Sequence, residues 1–291
     1  MAEVVSHYDA SSATYSEQYD REKLLTSADY PANYFRLQIV LQRLAELGVT
    51  SVFELGIGDG TPITAAAKMG LRVGGCDLSE GMLKVARAQF DAQGFDSSAL
   101  SWGDIQDTNT LLEAVSTGPY DAVMALGVLP HVRSEAVVVR NMSMFIEPGG
   151  KLFLQFRNSL LSLFSFNRLT LDFIQDELLR DAPVAVKDAV ATELKPRLAM
   201  DKPPVQQGSS DAPHYDEILA KFHNPFELGE LLEAEGYTDL NFHWYNYHPA
   251  PPMLRGSLGD AFRHAAMNME HESTWRGMFL CSSGVIEATK L

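Results

Sequence analysis

The sequence predicts an α/β protein of the doubly wound kind, a parallel sheet with helices on both faces, and three observations carry that prediction. Short apolar runs alternate with amphipathic helical stretches from residue 51 to residue 157. Each connection between runs is long enough for a crossover, which parallel pairing requires. The first run ends in a glycine-rich turn, "FELGIGDGT" from Phe53 to Thr61, at the position where open α/β sheets bind ligands.

The elements follow in order. "PANYFRLQIVLQRLAEL" places Tyr34, Leu37, Val40, Leu41, Leu44 and Leu47 on one helical stripe, with Pro31 at its start and Gly48 at its end. "TSVFELG" reads as a buried strand, "TPITAAAKMG" as a short helix closed by Gly70, and "LRVGGCDLS" as a second strand ending at Asp77. Ser79 suits an N-cap for the helix that carries Met82, Val85, Ala86 and Phe90 on one face. "SALSWGD", "YDAVMALGVL" and "KLFLQFRN" are the next strands, with helices at "TLLEAVS" and "SEAVVVRNMSMFI" between them. The rhythm breaks at residues 159–223, an insert with helical pieces such as "LTLDFIQDELLRDA" and a Pro/Gln/Gly/Ser-rich stretch, "DKPPVQQGSSDAP", that reads as a mobile loop. Beyond it come a helix opened by Asn224 and Pro225, a strand "LNFHWYNYH", a helix "SLGDAFRHAAMNM", and a long final strand "GMFLCSSGVIEA".

Composition narrows the function. At 291 residues and 46% hydrophobic content the chain can bury a sizeable core without staples. Cys76 and Cys281 are far apart, each in an apolar run, so buried thiols in a reducing cytoplasm are expected and a disulfide framework is not. No apolar stretch approaches the roughly 20 residues that span a bilayer, and the amino-terminal residues lack a secretory pattern. A net charge of −15 repels phosphates, so the expected partner is a small molecule, with no nucleic acid and no membrane, and a homodimer left open.

The turn itself excludes two readings. A dinucleotide fingerprint needs a third glycine three residues after the second; here that position, counted from Gly58, is Thr61. A phosphate loop needs a lysine at its end, and none occurs before Lys68. Glu54 and Asp59 are poor neighbours for a pyrophosphate and better ones for a cation.

These residues resemble the class I S-adenosylmethionine-dependent methyltransferases. Five motifs carry the resemblance in order over residues 50–157: Glu54 with Gly56, Gly58 and Gly60; Asp77 in "GGCDLS"; Asp104 in "SWGDIQD"; "YDAVMALGVLPHV"; and "GGKLFLQF". The resemblance implies a Rossmann-like, mostly parallel sheet of seven strands, the last antiparallel, with a helical lid insert. It implies S-adenosylmethionine as cofactor, with Asp77 accepting from the ribose hydroxyls and Asp104 from the adenine amine. Leu78, Met82, Ile105 and Leu126 would supply apolar contacts, with Trp102 a further candidate for the purine face. The implied organisation is a helical cover at 1–50, a cofactor-binding core at 51–158, a lid and acceptor insert at 159–223, and completion of the sheet at 224–291.

The acceptor side is read from the residues around the same face. His131, just past the fourth strand, has the titration range of a general base. Arg157 could grip an anionic acceptor through its fork of donors, together with Asn158, Arg168, His223 and Asn224. The tyrosine-rich start, with Tyr8, Tyr15 and Tyr19, resembles the segment that covers the cofactor in this family, and Tyr15 and Tyr19 are taken as substrate contacts. His243 and Tyr245 are further candidates, on a strand where residues 243, 245 and 247 share a face. His243 and His248 point oppositely, so no metal site is assigned to that strand, although His214 or His223 could serve one. The expected acceptor is a small polar molecule, a sugar or glycan-linked group or a carboxylate-bearing metabolite, methylated at oxygen, nitrogen or carbon. The alternatives are a nicotinamide-dependent oxidoreductase, disfavoured by the missing third glycine, and a non-catalytic cofactor-binding scaffold.

Overall fold

Residues 2–12, 15–22, 30–200 and 218–291 are described by the computed structural model of the chain. The stretch 201–213 and His214, expected as a mobile loop and a candidate ligand, lie outside them. Helix α1 (Ala2–Ser11) and a 3₁₀ turn (Tyr15–Tyr19) precede α2 (Ala32–Glu46). The alternating core follows as β1 (Ser51–Leu55), α3 (Thr61–Lys68), β2 (Arg72–Asp77), α4 (Glu80–Ala92), β3 (Leu100–Trp102), α5 (Thr108–Val115), β4 (Tyr120–Ala125), α6 (Glu135–Ser143) and β5 (Ile146–Arg157). The insert holds α7 (Ser162–Ser165), α8 (Arg168–Phe173), which continues as a π-turn (Ile174–Leu178), and α9 (Val184–Leu194). The chain closes with α10 (Pro225–Ala234), β6 (Tyr237–Tyr247), α11 (Arg255–Leu258), α12 (Asp260–Met269), α13 (Gly277–Leu280) and β7 (Cys281–Lys290).

The seven strands form one sheet in the order β3-β2-β1-β4-β5-β7-β6. β1 to β5 run parallel, and β7 lies antiparallel between β5 and β6. Side chains alternate across β1, so Val52 and Phe53 feed different cores. Phe53 stacks on Phe145 at 4.2 Å in one layer with Val139 and Leu232, while Val52 joins Leu44, Ile63 and Phe90 in the other. Burial on both faces is why these strands are continuous apolar runs.

Local signals explain several boundaries. Ser79 Oγ accepts the Met82 N–H at 3.0 Å, and Asn224 Oδ1 accepts the Phe226 N–H at 3.0 Å with Pro225 in the first helical position. The last strand is shorter than its sequence pattern implies. Residues Gly277–Leu280 are helical and pack against β6, where a Cβ on Gly277 would stand 2.5 Å from Trp244. Both cysteines are buried free thiols. Among the described residues no helix is long and apolar enough to cross a membrane.

Candidate active site

The carboxyl ends of β1 to β4 open onto a cavity of about 100 Å³, roofed by α1 through Val4, Val5 and Tyr8. Gly56, Gly58, Asp77, Leu78, Met82, Asp104, Ile105, Leu126 and His131 line it, with Tyr15 at its edge. The fold therefore collects residues from four separate strand ends around one space, as open α/β sheets do at the point where the strand order reverses.

The glycine turn takes its shape from its neighbours. Gly56 has φ +78°, and a Cβ there would stand 2.2 Å from Val128 Cγ2, so only glycine fits. Gly60 is different: a Cβ would meet Ala86 of α4 at 2.9 Å, so this glycine serves helix packing and does not line the cavity. Asp59 turns into the start of α3, accepting the Thr61 N–H at 3.1 Å and its hydroxyl at 2.8 Å. Its carboxylate is a local cap rather than a ligand contact.

Asp77 joins the turn to β2. One carboxylate oxygen accepts the Gly58 N–H and the other the Ser79 N–H, both at 2.8 Å. Burial pushes its carboxyl up to about 6, against the pull of these hydrogen bonds. Asp104 Oδ1 accepts the Gln106 N–H at 2.8 Å. Leu78, Met82 and Ile105 provide apolar surface between these two acids. Trp102 is not part of the site: it is 45% exposed, and its indole N–H donates to the Leu78 carbonyl at 3.0 Å.

Behind the turn lie two charges that the glycines conceal. Glu54 and Arg36 are 1% and 3% exposed, and Glu54 Oε2 and Arg36 Nε have no hydrogen-bond partner among the described residues. Burial pushes the Glu54 carboxyl well above the usual range, although Arg36 pulls it down. Arg36 donates to Tyr19 Oη at 2.8 Å, and a Cβ on Gly127 would stand 3.2 Å from Arg36 Nη1, so the guanidinium sits directly beneath the cavity wall. Tyr245 meets Arg36 and Gln155 from the sheet. Sequence reading missed Arg36, which looked like one polar residue on an amphipathic helix. It also missed Gly127 (φ +88°), whose signal was the glycine just past β4.

His131 closes the far wall. Its Nδ1 lies 2.6 Å from the Leu219 carbonyl oxygen and its Nε2 lies 2.9 Å from Tyr8 Oη. A carbonyl only accepts, so the ring proton is on Nδ1 and Tyr8 donates to the lone pair on Nε2. Burial pushes the imidazole down to about 4, leaving it neutral at physiological pH. Asp9 holds α1 in place at the start of α4, accepting from the Ser79 hydroxyl and from the Gly81 N–H at 3.1 Å. A carboxylate at a helix amino terminus is a favourable placement.

The remaining acceptor candidates are not brought to this cavity. Asn158 is fully buried and spends its amide on Met278 O and Cys281 O at 2.8 Å, and its Oδ1 on the Leu160 N–H. Arg157 stacks on Phe222 with its guanidinium 3.9 Å from the ring centroid and donates to Ala220 O. His223 is buried with Nε2 3.3 Å from Glu135 Oε1, a contact without hydrogen-bond alignment. Arg168 pairs with Asp172 at 3.5 Å, and Asn224 bonds Glu177 at 2.9 Å. The expected polar acceptor pocket is thus not assembled from these five. His243 lies on the α2 side of the sheet, where Nε2 meets Glu287 Oε2 at 2.9 Å beside Arg43. Tyr245, 2% exposed, supports Arg36 rather than an acceptor.

The donor set suits S-adenosylmethionine. An α-amino acid end carries a carboxylate and an ammonium; Arg36 offers the charge opposite to the first and Glu54 an acceptor for the second, and each has an orphaned buried atom. Asp77 and Asp104 retain acceptor capacity for neutral donors, and the apolar strip between them matches a purine face.

Comparison with known proteins agrees. The family model described as a methyltransferase domain matches residues 53–152. A ubiquinone biosynthesis O-methyltransferase of Xanthomonas oryzae pv. oryzae is 32% identical over 142 residues, 49% of this chain and 57% of that protein. One from Xylella fastidiosa is 32% identical over 132 residues, 45% of this chain and 51% of that protein. The chain spans about half the length of the curated relatives it matches. In fold, a magnesium protoporphyrin IX methyltransferase from Synechocystis PCC 6803, solved with bound SAH, superposes with a TM-score of 0.51 at 15% identity, covering 98% of each chain. A chain of the complex between the Haloferax volcanii Trm112 methyltransferase activator and its methyltransferase gives 0.52 at 14%, again over 98% of each. Residues 53–152 thus match a methyltransferase domain, and the glycine turn, the two strand-end acids and the sheet order all lie on that part of the chain.

Proposed function

We propose that the chain transfers the methyl group of S-adenosylmethionine to a hydroxyl oxygen on a small acceptor with an apolar body, with His131 as the base. The observation that carries this reading is His131 at the cavity wall with its proton held on Nδ1 by the Leu219 carbonyl, which makes Nε2 an acceptor; Tyr8 Oη donates to it at 2.9 Å, and an acceptor hydroxyl would take that place. A weakly basic aromatic amine already has a lone pair at neutral pH, whereas a hydroxyl gains from a base. Val4, Val5, Val128 and Val132 make this end of the cavity apolar, and no cationic anchor from Arg157 reaches it. The curated relatives are themselves named as O-methyltransferases.

The cofactor supplies a methyl carbon already activated by a sulfonium. The residues of this chain supply placement. Asp77 holds the ribose hydroxyls, Asp104 the adenine amine, and Arg36 with Glu54 the amino-acid end. Tyr15 and Tyr19 cover that end, and α1 excludes water. Proximity of this kind contributes roughly 7–11 kcal/mol in favourable cases. His131 Nε2 takes the acceptor proton, and the Leu219 carbonyl stabilises the resulting imidazolium.

The test is transfer of labelled methyl groups from S-adenosylmethionine to a panel of phenols, aliphatic alcohols, sugars, carboxylic acids and amines. Label on phenols or alcohols is expected; label confined to sugars, carboxylates or amines overturns the reading.

A further inference from the structure

The insert returns to the core through residues 218–223, and this short stem is stitched to the wall that carries His131. The Lys221 N–H donates to Pro130 O at 2.8 Å, one residue before His131. The His223 N–H donates to Arg157 O at 2.7 Å, and the Ser159 N–H donates to His223 O at 3.0 Å, so the stem runs beside the end of β5. The Lys221 ammonium pairs with Glu135 in the first turn of α6. Both partners of that pair are about three-quarters buried, so the contact is shielded more than a surface pair. Between these attachments sits Leu219, whose own side chain is 40% exposed and contributes little to holding it, while its carbonyl sets the His131 proton.

We infer that Lys221 is a positioning residue for His131: its ion pair with Glu135 seats the stem so that the Leu219 carbonyl keeps the ring proton on Nδ1. The inference rests on the reading of His131 as base. If the stem loosens, the carbonyl withdraws and the proton is no longer held on Nδ1. An Nε2–H ring would donate to Tyr8 Oη and have no lone pair at Nε2, so an acceptor hydroxyl taking the place of Tyr8 could not give it a proton. The insert therefore governs the base through a tautomer, without touching the reacting atoms.

The test uses the full chain labelled with ¹⁵N-histidine, with ring spectra that report which nitrogen holds the proton and His131→Gln identifying the resonance. The parent should show the Nδ1–H form. Lys221→Met should shift His131 mainly to Nε2–H and slow methyl transfer to catechol, the acceptor probe, by about tenfold or more. Cofactor affinity should not change, and Lys221→Arg should restore both readouts. Glu135→Gln, which keeps the shape of the side chain, should reproduce the tautomer shift if Lys221→Met folds poorly. Retention of the Nδ1–H form in both variants overturns the inference. A shifted tautomer with an unchanged rate leaves Lys221 as the positioning residue and removes His131 as base.

Discussion

The Asp77 carboxylate accepts the backbone N–H of Gly58 at 2.8 Å, tying the end of β2 to the turn that follows β1. Two strand ends are thereby locked at one spacing before any ligand arrives. The same carboxylate is left with acceptor capacity toward the cavity, and this double use makes it the most informative residue to alter.

Asp77→Ala should weaken S-adenosylmethionine binding by at least 100-fold. Hydrogen bonds to a charged group contribute about 1.5–3 kcal/mol each, and every 1.4 kcal/mol is about tenfold in affinity. Because burial raises this carboxyl to about 6, the parent should also lose affinity as the pH falls through 6 and the acceptor is protonated. Calorimetric titration across that range checks both, and an unchanged Kd in the variant contradicts the ribose role.

Gly56→Ala should lower stability and cofactor affinity together. The left-handed backbone at φ +78° costs an alanine roughly 1–2 kcal/mol, and the new methyl would overlap Val128. For a chain of this size that corresponds to a Tm lower by roughly 2–8 °C. A melt that superposes on the parent's would show that the turn has another conformation.

His131 and His248 should contribute stability that is lost as the pH is lowered from about 6.5 to about 4, opposed over part of that window by the raised carboxyls of Asp77 and Glu270. Burial holds His131 and His248 at about 4, below the ordinary histidine value, so at these two residues the unfolded chain binds more protons than the native one across that window. Stability rises with pH wherever that is so. Thermal melts of the parent and of His248→Gln at stepped pH isolate one of these groups: between pH 6.5 and 4 the variant should lose less stability, or gain more, than the parent, and an identical slope would mean that His248 is not buried in its neutral form.

Glu287→Gln should destabilise the fold without touching the site. Burial alone would raise this carboxyl, but Arg43 at 2.6 Å and His243 at 2.9 Å outweigh burial and hold it at about 2. A depressed acid contributes stability above its unfolded value near 4.5 and loses it as the pH falls through 2. The variant should therefore melt lower than the parent at pH 7, by roughly 2–3 kcal/mol, with the gap closing as the pH approaches 2. Methyl transfer at 25 °C should be unaffected, and a rate loss there would return His243 to the site.

The sequence by itself determined what depends on a few neighbouring residues. Strand and helix follow from period and turn chemistry, so the alternating core, the Gly56-x-Gly58 turn, Asp77 and Asp104 were all legible in it. Its misses were of one kind. The helical turn at Gly277 and the burial of Asn158 depend on what packs against them. His243 and Tyr245 share a face as the alternation requires, yet only α2 decides that this face meets Arg43 and Arg36 rather than an acceptor. The working end of the cavity joins Tyr8 to His131 across 123 positions and His131 to Leu219 across 88. No local pattern encodes such meetings. They are fixed when the N-terminal helix and the returning insert dock on the sheet, so the tertiary structure alone decided which nitrogen of His131 faces the cavity.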